Sequence, residues 1–227
     1  MQNPWLMLAP EPPYVLDTDH DIITSYNKKA DAEHRIDLAL IPEPFIGSPQ
    51  TATVVVLNLN PGLDEKDIDA HQHVSFKAAL FRNLRHELQE YPFYPLNPEF
   101  SRTPCAVWWR AHTRRLVECV DAQAVAQRLL VIEWFPYHSR KGKKLPGKPL
   151  CESQQYSFAL LKEMLEHCVV IGMRGKTRWK EIDKRIQEVP FAKNPRSCHI
   201  SPANFGEDIF DRIVRALSNG RLSSLRI

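Results

Sequence analysis

Four short apolar runs, separated by longer polar segments, determine the fold class that this sequence predicts. The first, residues 53–57, is almost entirely β-branched and runs into a turn-forming segment at residues 58–62. The other three are residues 129–132, 168–171 and 197–200. Continuous apolar runs of this length are typical of strands that are buried on both faces of a parallel sheet.

Helical patterns fill the segments between these runs. The patterns cover residues 73–90, 108–130, 152–166, 177–188 and 207–217. Strands that alternate with helices favour an α/β fold in which helices cover a parallel sheet. We therefore predict a three-layer α/β/α sandwich with a central four-stranded parallel sheet.

The charge of the chain divides at about residue 50. Residues 1–50 hold eight acidic and three basic side chains, a balance of −5, so the net charge of +3 leaves +8 for residues 51–227. A basic body suits a polyanionic partner, although scattered solvated lysines and arginines give the same count. We predict an acidic, irregular N-terminal extension at 1–50, packed on a core domain at 51–227.

Composition indicates a soluble protein of the cytoplasm. No run approaches the roughly 18 apolar residues that would suggest a membrane span, and prolines interrupt an amino terminus that lacks a basic start. The five cysteines are widely separated and show no metal-binding spacing. We expect reduced thiols, no metal, no cofactor and no membrane partner.

Four segments at the ends of the predicted strands carry further information when they are taken in order. Residues 57–62 read LNLNPG, and residues 130–133 read LVIE, followed by Ser139, a basic run at 140–144 and Glu152. Residues 168–172 read CVVIG and precede Lys176, and residues 199–202 read HISP. Ligands of open parallel sheets bind at such strand ends.

In this order the four segments resemble the motifs of the uracil-DNA glycosylase superfamily, over roughly residues 52–217. The first segment is similar to that of mismatch-specific thymine/uracil glycosylases, with an asparagine, Asn60, before the proline. The resemblance implies that Asn60 positions the attacking water and that His199 hydrogen-bonds the departing base. A histidine that only completes a strand end is the alternative for His199.

The resemblance also implies a pocket for a flipped base, formed by Asn58, Gly62, Phe76 and Glu133. Gly62 replaces the tyrosine that excludes thymine in uracil-specific enzymes, so we expect a wider pocket. Glu133 stands where those enzymes use asparagine, and an ionised carboxylate would accept hydrogen bonds only, which disfavours uracil. Phe76 is a candidate for stacking beneath the base, but its position favours a core residue of the following helix.

Phosphate contacts are expected from the proline and serine loops and from two basic segments. The predicted DNA-binding residues are Pro61, Ser139, Arg140, Lys141, Lys143, Lys144, Arg174, Lys176, Ser201, Pro202 and Asn204. Lysine and arginine in such loops neutralise phosphates and make binding salt-dependent. A flexible solvated loop is the alternative interpretation of the basic segments.

The leading hypothesis is a monomeric DNA glycosylase that flips a damaged, mismatched or modified base and excises it by hydrolysis of the N-glycosidic bond. A catalytically inactive nucleic-acid-binding protein on the same fold is one alternative. A hydrolase of small nucleotides or N-glycosides is another. Salt dependence separates this last hypothesis from the first two, because the affinity for a ligand with a single phosphate falls only slightly as the salt concentration rises.

Overall fold

The structure is a computed structural model that describes residues 1–219, and residues 220–227 of the predicted core domain lie outside the described residues. One open sheet contains four strands, β1 (Phe45–Ile46), β2 (Val54–Asn58), β3 (Leu129–Glu133) and β4 (Val169–Gly172). Their order is β1-β3-β2-β4. The fold is mixed α/β, and the first three predicted runs are confirmed as β2, β3 and β4.

Parallel pairing joins the three long strands. Val56 of β2 lies opposite Val131 of β3 and Ile171 of β4, so β2 is the central strand. All five residues of β2 and of β3 are buried. Each fully buried valine or leucine contributes roughly 1.5–3 kcal/mol of hydrophobic stabilisation, which explains the near-absence of polar residues before the strand ends.

The prediction of a wholly parallel sheet is wrong at both edges. β1 pairs with β3 in the antiparallel direction, with Phe45 opposite Ile132. The predicted strand at 197–200 does not form, because its backbone groups have other partners: Ile200 N donates to His112 O, and Asn204 Nδ2 donates to His199 O. The strand composition and order therefore differ from the all-parallel sheet that the family resemblance implies.

Nine α-helices lie within residues 1–219. They are α1 (Asp17–Asn27), α2 (Glu65–Gln72), α3 (Val74–Leu84), α4 (Pro104–Cys119), α5 (Ala122–Arg128), α6 (Glu152–Met164), α7 (Lys176–Lys180), α8 (Pro202–Phe205) and α9 (Glu207–Asn219). Helix α6 packs against β3, and α9 packs against β2 and β4. None of these helices combines the length and the apolar character that a membrane crossing requires.

Local capping explains where two predicted helices differ from the observed ones. The pattern at 108–130 is two helices, because the Asp121 side chain accepts from Ala124 N at 2.6 Å and starts α5. Thr103 caps the first of them and starts α4 at Pro104, earlier than predicted. A side-chain oxygen before the first turn satisfies amide groups that would otherwise lack partners.

The N-terminal 50 residues belong to the core more fully than predicted. They contribute α1 and β1, and both Trp5 and Ile23 are buried. Buried Asp19 of α1 accepts from Tyr137 Oη at 2.8 Å and from the Ser153 hydroxyl. The segment predicted to be an irregular extension thus contains α1 and β1, and Asp19 of α1 hydrogen-bonds Tyr137 and Ser153 of the remaining chain.

Candidate functional site

A cavity of about 350 Å³ opens where the three parallel strands end. Its walls come from the loops that follow β2, β3 and β4 and from the first turns of α4. Residues in these walls include Asn58, Asn60, Pro61, Gly62, Trp108, Glu133, His138, Ser139, Arg140 and Arg174. The volume lies at the lower end of the range for small-molecule sites, so the cavity suits a ligand of a few rings at most.

Two buried polar side chains at the strand ends define one wall of this cavity. Asn58 and Glu133 are register partners at the last positions of β2 and β3, and Asn58 Nδ2 donates to Glu133 Oε1 at 2.9 Å. The remaining two oxygens, Asn58 Oδ1 and Glu133 Oε2, are buried without a protein hydrogen-bond partner. Buried polar atoms without partners cost about 1–3 kcal/mol each, so a bound water or ligand at these two oxygens would stabilise the site.

Burial raises the pKa of Glu133 to about 8. The nearby carboxylate of Glu43 acts in the same direction, while the hydrogen bond from Asn58 and the charge of Arg174 oppose it. The neutral carboxylic acid therefore predominates at pH 7, and it donates as well as accepts. The expectation that Glu133 is an ionised, acceptor-only group is corrected on this point.

Asn60 is held with its amide in one orientation. Its Nδ2 donates to Pro61 O at 2.8 Å and to Ser139 Oγ at 2.9 Å. Its Oδ1 accepts no hydrogen bond from residues 1–219 and lies close to Gly142, where an added Cβ would come within 2.3 Å of it. This arrangement leaves Oδ1 without a donor from the described residues, and the role of Asn60 in positioning water stays a prediction.

Two histidines and a glutamate form a polar cluster at the cavity wall. His138 faces two carbonyl oxygens, with Nδ1 2.6 Å from Gly62 O and Nε2 3.0 Å from Ile41 O. Its ring therefore lies between two hydrogen-bond acceptors. Glu43 Oε1 lies 3.8 Å from His138 Nε2.

Glu43 stays ionised in this cluster. Burial raises its pKa, but a hydrogen bond from His71 and the charge of His138 lower it more, so the net pKa lies below the ordinary value. Burial lowers the pKa of His71, whose Nε2 lies 3.6 Å from Glu43 Oε1. His71 and His138 thus both lie close to one carboxylate oxygen, Glu43 Oε1, at 3.6 and 3.8 Å.

Glu43, His71 and His138 also offer ligand atoms within 4.8 Å of one another, the spacing of a metal site. His71 Nδ1, however, accepts from Ile41 N at 3.1 Å. A histidine that binds a metal through Nε2 normally donates a proton from Nδ1, and here that proton would face the Ile41 N–H. The hydrogen bonds thus favour protons over a metal in this cluster.

Gly62 and Phe76, the other two residues of the predicted base pocket, lie in different places in the structure. Gly62 lines the cavity and is exposed, and a Cβ there would meet nothing within 4 Å, in keeping with a wide entrance. Phe76 lies in the core of α3 and contacts Tyr94 and Phe100 edge to face, at ring-centroid distances of 5.8 and 5.2 Å. It does not line the cavity, and its role in stacking remains a prediction.

His199 lies outside the cavity wall, in an aromatic stack. Its ring stacks on His112 at 4.4 Å, and His112 stacks on Trp108 at 3.7 Å. His199 Nδ1 donates to Ala111 O at 3.1 Å, which leaves Nε2 for another partner. Contact between His199 and a departing base therefore requires movement from this arrangement, and its catalytic role stays a prediction.

Arg174 stands at the cavity in a fixed position. Its guanidinium lies 5.2 Å from the ring centroid of Trp108, on which His112 stacks. Arg174 also lines a second groove, next to Lys143, Lys176, Arg178 and Lys193. The predicted phosphate-binding residues Lys143, Arg174 and Lys176 are thus brought together beside the cavity, and Arg140 lies in its wall.

The remaining predicted DNA-binding residues have protein partners. Exposed Lys141 pairs with Glu33 at 2.9 Å, and Lys144 pairs with Asp31 at 3.2 Å. Asn204 is buried, and its Nδ2 donates to Ser197 O and His199 O, which fixes the turn before α9. Ser201 caps α8 and Pro202 begins it, and neither lines the cavity.

Sequence analysis missed Glu43, Cys105, Trp108 and His138 as cavity residues. Glu43 comes from the chain before β1, and Cys105 and Trp108 come from α4, so no strand-end pattern points to them. Cys105 Sγ donates to Glu43 Oε2 at 3.7 Å. Only His138 had a local signal, since it follows a predicted strand and precedes Ser139.

Comparisons with known proteins bring no further evidence to this site. No protein-family model matches the chain, and neither the curated proteins nor the solved structures contain a significant match.

Proposed function

We propose that this protein is a nucleic-acid N-glycosylase that binds a flipped base in the strand-end cavity and hydrolyses its N-glycosidic bond. The observation that carries the proposal is the hydrogen-bonded pair Asn58 and Glu133, which line a cavity of base size and each keep one buried oxygen without a protein partner. Paired polar atoms on one wall suit the hydrogen-bonding edge of a planar heterocycle.

Asn60 supplies the second requirement, an oriented water. Its amide is fixed by Pro61 and Ser139, so Oδ1 can accept from a water without reorganisation. Bond cleavage at the sugar develops positive charge on C1′, which a positioned water then attacks. An amide is a weak base, so we expect slow turnover and a faster reaction if Asn60 is replaced by Asp.

A basic surface beside the cavity supports a polymeric substrate over a free nucleoside. Arg174 lies at the junction of the cavity and the groove that holds Lys143 and Lys176. Several cations in a row beyond the base site suit consecutive phosphates of a strand. A free nucleoside would use none of them.

The test is excision from labelled single-stranded and duplex oligonucleotides that contain uracil, hypoxanthine, xanthine, mismatched thymine or modified cytosines. Wild type should leave alkali-labile abasic sites with at least one of these bases, and Asn60→Ala should reduce the rate by roughly 10²-fold or more. Gln155→Ala, which removes an exposed amide side chain on α6 outside the cavity, serves as the control. Absence of product with every base, together with salt-dependent binding, would instead identify a non-catalytic binding protein.

A further inference from the structure

Glu133 brings a carboxyl group to the cavity, and this group takes no part in the positioning of water by Asn60. Its Oε1 is occupied by Asn58 Nδ2 at 2.9 Å, and its Oε2 has no protein partner. Asn58 and Glu133 are register partners on adjacent strands, both line the cavity, and Asn58 Oδ1 also lacks a protein partner. The pair combines an acid O–H with an amide carbonyl, which is the complement of adjacent C=O and N–H groups.

We propose that Glu133 is the general acid of the reaction: its Oε2 donates a proton to the carbonyl oxygen of a lactam base, while Asn58 Oδ1 accepts the adjacent N–H. The proposal rests on the proposed glycosylase function and adds a substrate class, bases with a –CO–NH– edge. Bases with an amino group and an unprotonated ring nitrogen at that edge, such as cytosine and adenine, present the opposite pattern.

The proton balance is complete with water as the only co-reactant. The bond from C1′ to the base nitrogen breaks, and its electron pair passes to the base. The Glu133 proton moves to the carbonyl oxygen, so the base leaves as a neutral lactim and tautomerises afterwards. A water accepted by Asn60 Oδ1 bonds to C1′ and loses a proton to solvent, and solvent reprotonates Glu133.

The surroundings keep Glu133 in the acid form. The groups that face it are Glu43 before β1, Asn58 on β2, Arg174 after β4, Tyr94 and, on α4, Cys105. Burial raises the pKa of Cys105 and of Tyr94 far above their ordinary values, so both stay neutral. With its pKa raised to about 8, Glu133 has a proton to give at pH 7.

The geometry also assigns this role to Glu133 in preference to His199. His199 stacks on His112 and donates from Nδ1 to Ala111 O, outside the cavity wall. Stabilisation of the departing base therefore falls to groups that line the cavity. Of these, Glu133 is the one whose donor position lacks a protein partner.

The experiment measures single-turnover excision of uracil and of 5-fluorouracil, a better leaving group, from otherwise identical oligonucleotides between pH 5 and pH 10. Wild type should lose activity as pH rises through about 8. Glu133→Gln keeps the hydrogen bond from Asn58 but has no transferable proton. We expect it to bind oligonucleotide within about threefold of wild type, to react about 10²–10⁴-fold more slowly, and to lose the alkaline limb.

The leaving-group comparison distinguishes acid catalysis from packing. The loss caused by Glu133→Gln should be several-fold smaller for 5-fluorouracil, whereas a purely structural defect would reduce both rates equally and would overturn the proposal. Asp67→Asn is the control, because Asp67 also lines the cavity and burial raises its pKa. Loss of the alkaline limb in Asp67→Asn would likewise overturn the assignment to Glu133.

The role of Glu133 and the glycosylase function can be disproved separately. Release of another base, with no lactam base released, contradicts the role of Glu133 and leaves the glycosylase function intact. Release of no base from any oligonucleotide contradicts the glycosylase function itself. If Glu133→Gln proves unstable, the wild-type and Asp67→Asn pH profiles still decide the question, since both retain the acid.

Discussion

At the scale of single residues, the space beside Asn60 determines whether its amide can hold a water. A Cβ at Gly142 would lie 2.3 Å from Asn60 Oδ1 and 3.1 Å from Leu59 Cδ2. Gly142 belongs to the loop after β3 and Asn60 to the loop after β2, so the two strand-end loops touch at this point. Glycine is needed here for a close approach, because any side chain would occupy the position of the amide oxygen.

We predict that Gly142→Ala lowers the rate of base excision by about 10²-fold, since it displaces Asn60 by a fraction of an ångström or more. Gly147→Ala, in the same loop and with nothing within 4 Å of the added Cβ, should leave the rate unchanged. Single-turnover excision measures both. Equal rates in the two variants would show that Asn60 is not placed by this contact.

The raised pKa of Glu133 leads to a second prediction at the scale of single residues, and its test needs no substrate. Its pKa of about 8 in the folded protein exceeds the ordinary value of 4.5. Between these values the folded protein binds the proton and the unfolded chain does not, so this group lowers the free energy of unfolding as pH rises from about 4.5 to 8. Glutamine carries no such dependence.

The Glu133→Gln variant should therefore gain stability relative to wild type between pH 5 and pH 8, by an amount on the order of a few kcal/mol. Urea unfolding at the two pH values measures the difference. A constant difference between the variant and wild type would mean that Glu133 is ionised in the folded protein at pH 5 as well as at pH 8.

At the scale of secondary-structure elements, the sequence predicted the three long strands and the polar loops that follow them. The β-branched runs were sufficient, because β2 and β3 are buried along their whole length. The edges of the sheet were harder to predict. Strand β1 has only two residues, and residues 197–200 have a strand-like sequence but form their backbone hydrogen bonds with α4 and Asn204. Whether such a segment forms a strand depends on its tertiary partners, and the periodicity of the sequence carries no information about them.

Helix α1 was missed for the same reason, because its stability comes from a tertiary contact. Buried Asp19 accepts from Tyr137 Oη at 2.8 Å and from the Ser153 backbone at 3.4 Å. Asp19→Ala should lower the free energy of unfolding by about 2–4 kcal/mol, because three donors, the Tyr137 hydroxyl and the hydroxyl and backbone N–H of Ser153, lose their partner. Exposed Asp17 of the same helix is the control, and Asp17→Ala should cost less than about 1 kcal/mol. Similar losses in chemical denaturation would contradict the role of Asp19.

At the scale of the whole molecule, the acidic N-terminal segment covers part of the basic loop. Glu33 and Asp31 pair with Lys141 and Lys144, two residues predicted to bind phosphates. Hydrogen bonds from His34 and Lys144, together with their charges, lower the pKa of Asp31 to about 2, so it stays ionised across the useful pH range. The charge division that the sequence showed at residue 50 thus brings opposite charges into contact.

Removal of these two acids should strengthen nucleic-acid binding. We expect Asp31→Asn/Glu33→Gln to raise affinity for a single-stranded oligonucleotide by up to about tenfold at low salt, because Lys141 and Lys144 then lose their carboxylate partners and are free to contact phosphates. The gain should shrink as salt screens the charges. Asp17→Asn/Asp21→Asn removes the same charge elsewhere in the segment, and an equal gain there would exclude a specific effect of the two pairs.

The candidate site was predictable to the extent that it comes from strand ends. Asn58, Asn60 and Glu133 follow β2 and β3 directly, and the structure brings all three to one cavity. Glu43, Cys105 and Trp108 reach it from the N-terminal segment and from α4, which only the folded chain places there. The protonation of Glu133 also depends on burial by these distant elements, so the local sequence alone does not predict it.

The most direct test of the central claim is mass spectrometry of the products formed from a base-containing oligonucleotide in ¹⁸O-labelled water. The account predicts release of the intact free base without label and an abasic sugar that carries one ¹⁸O. It also predicts that the free nucleoside is a much poorer substrate than the oligonucleotide. Unmodified oligonucleotide after prolonged incubation, or label in the released base or at a phosphate, would contradict hydrolysis of the N-glycosidic bond at this cavity.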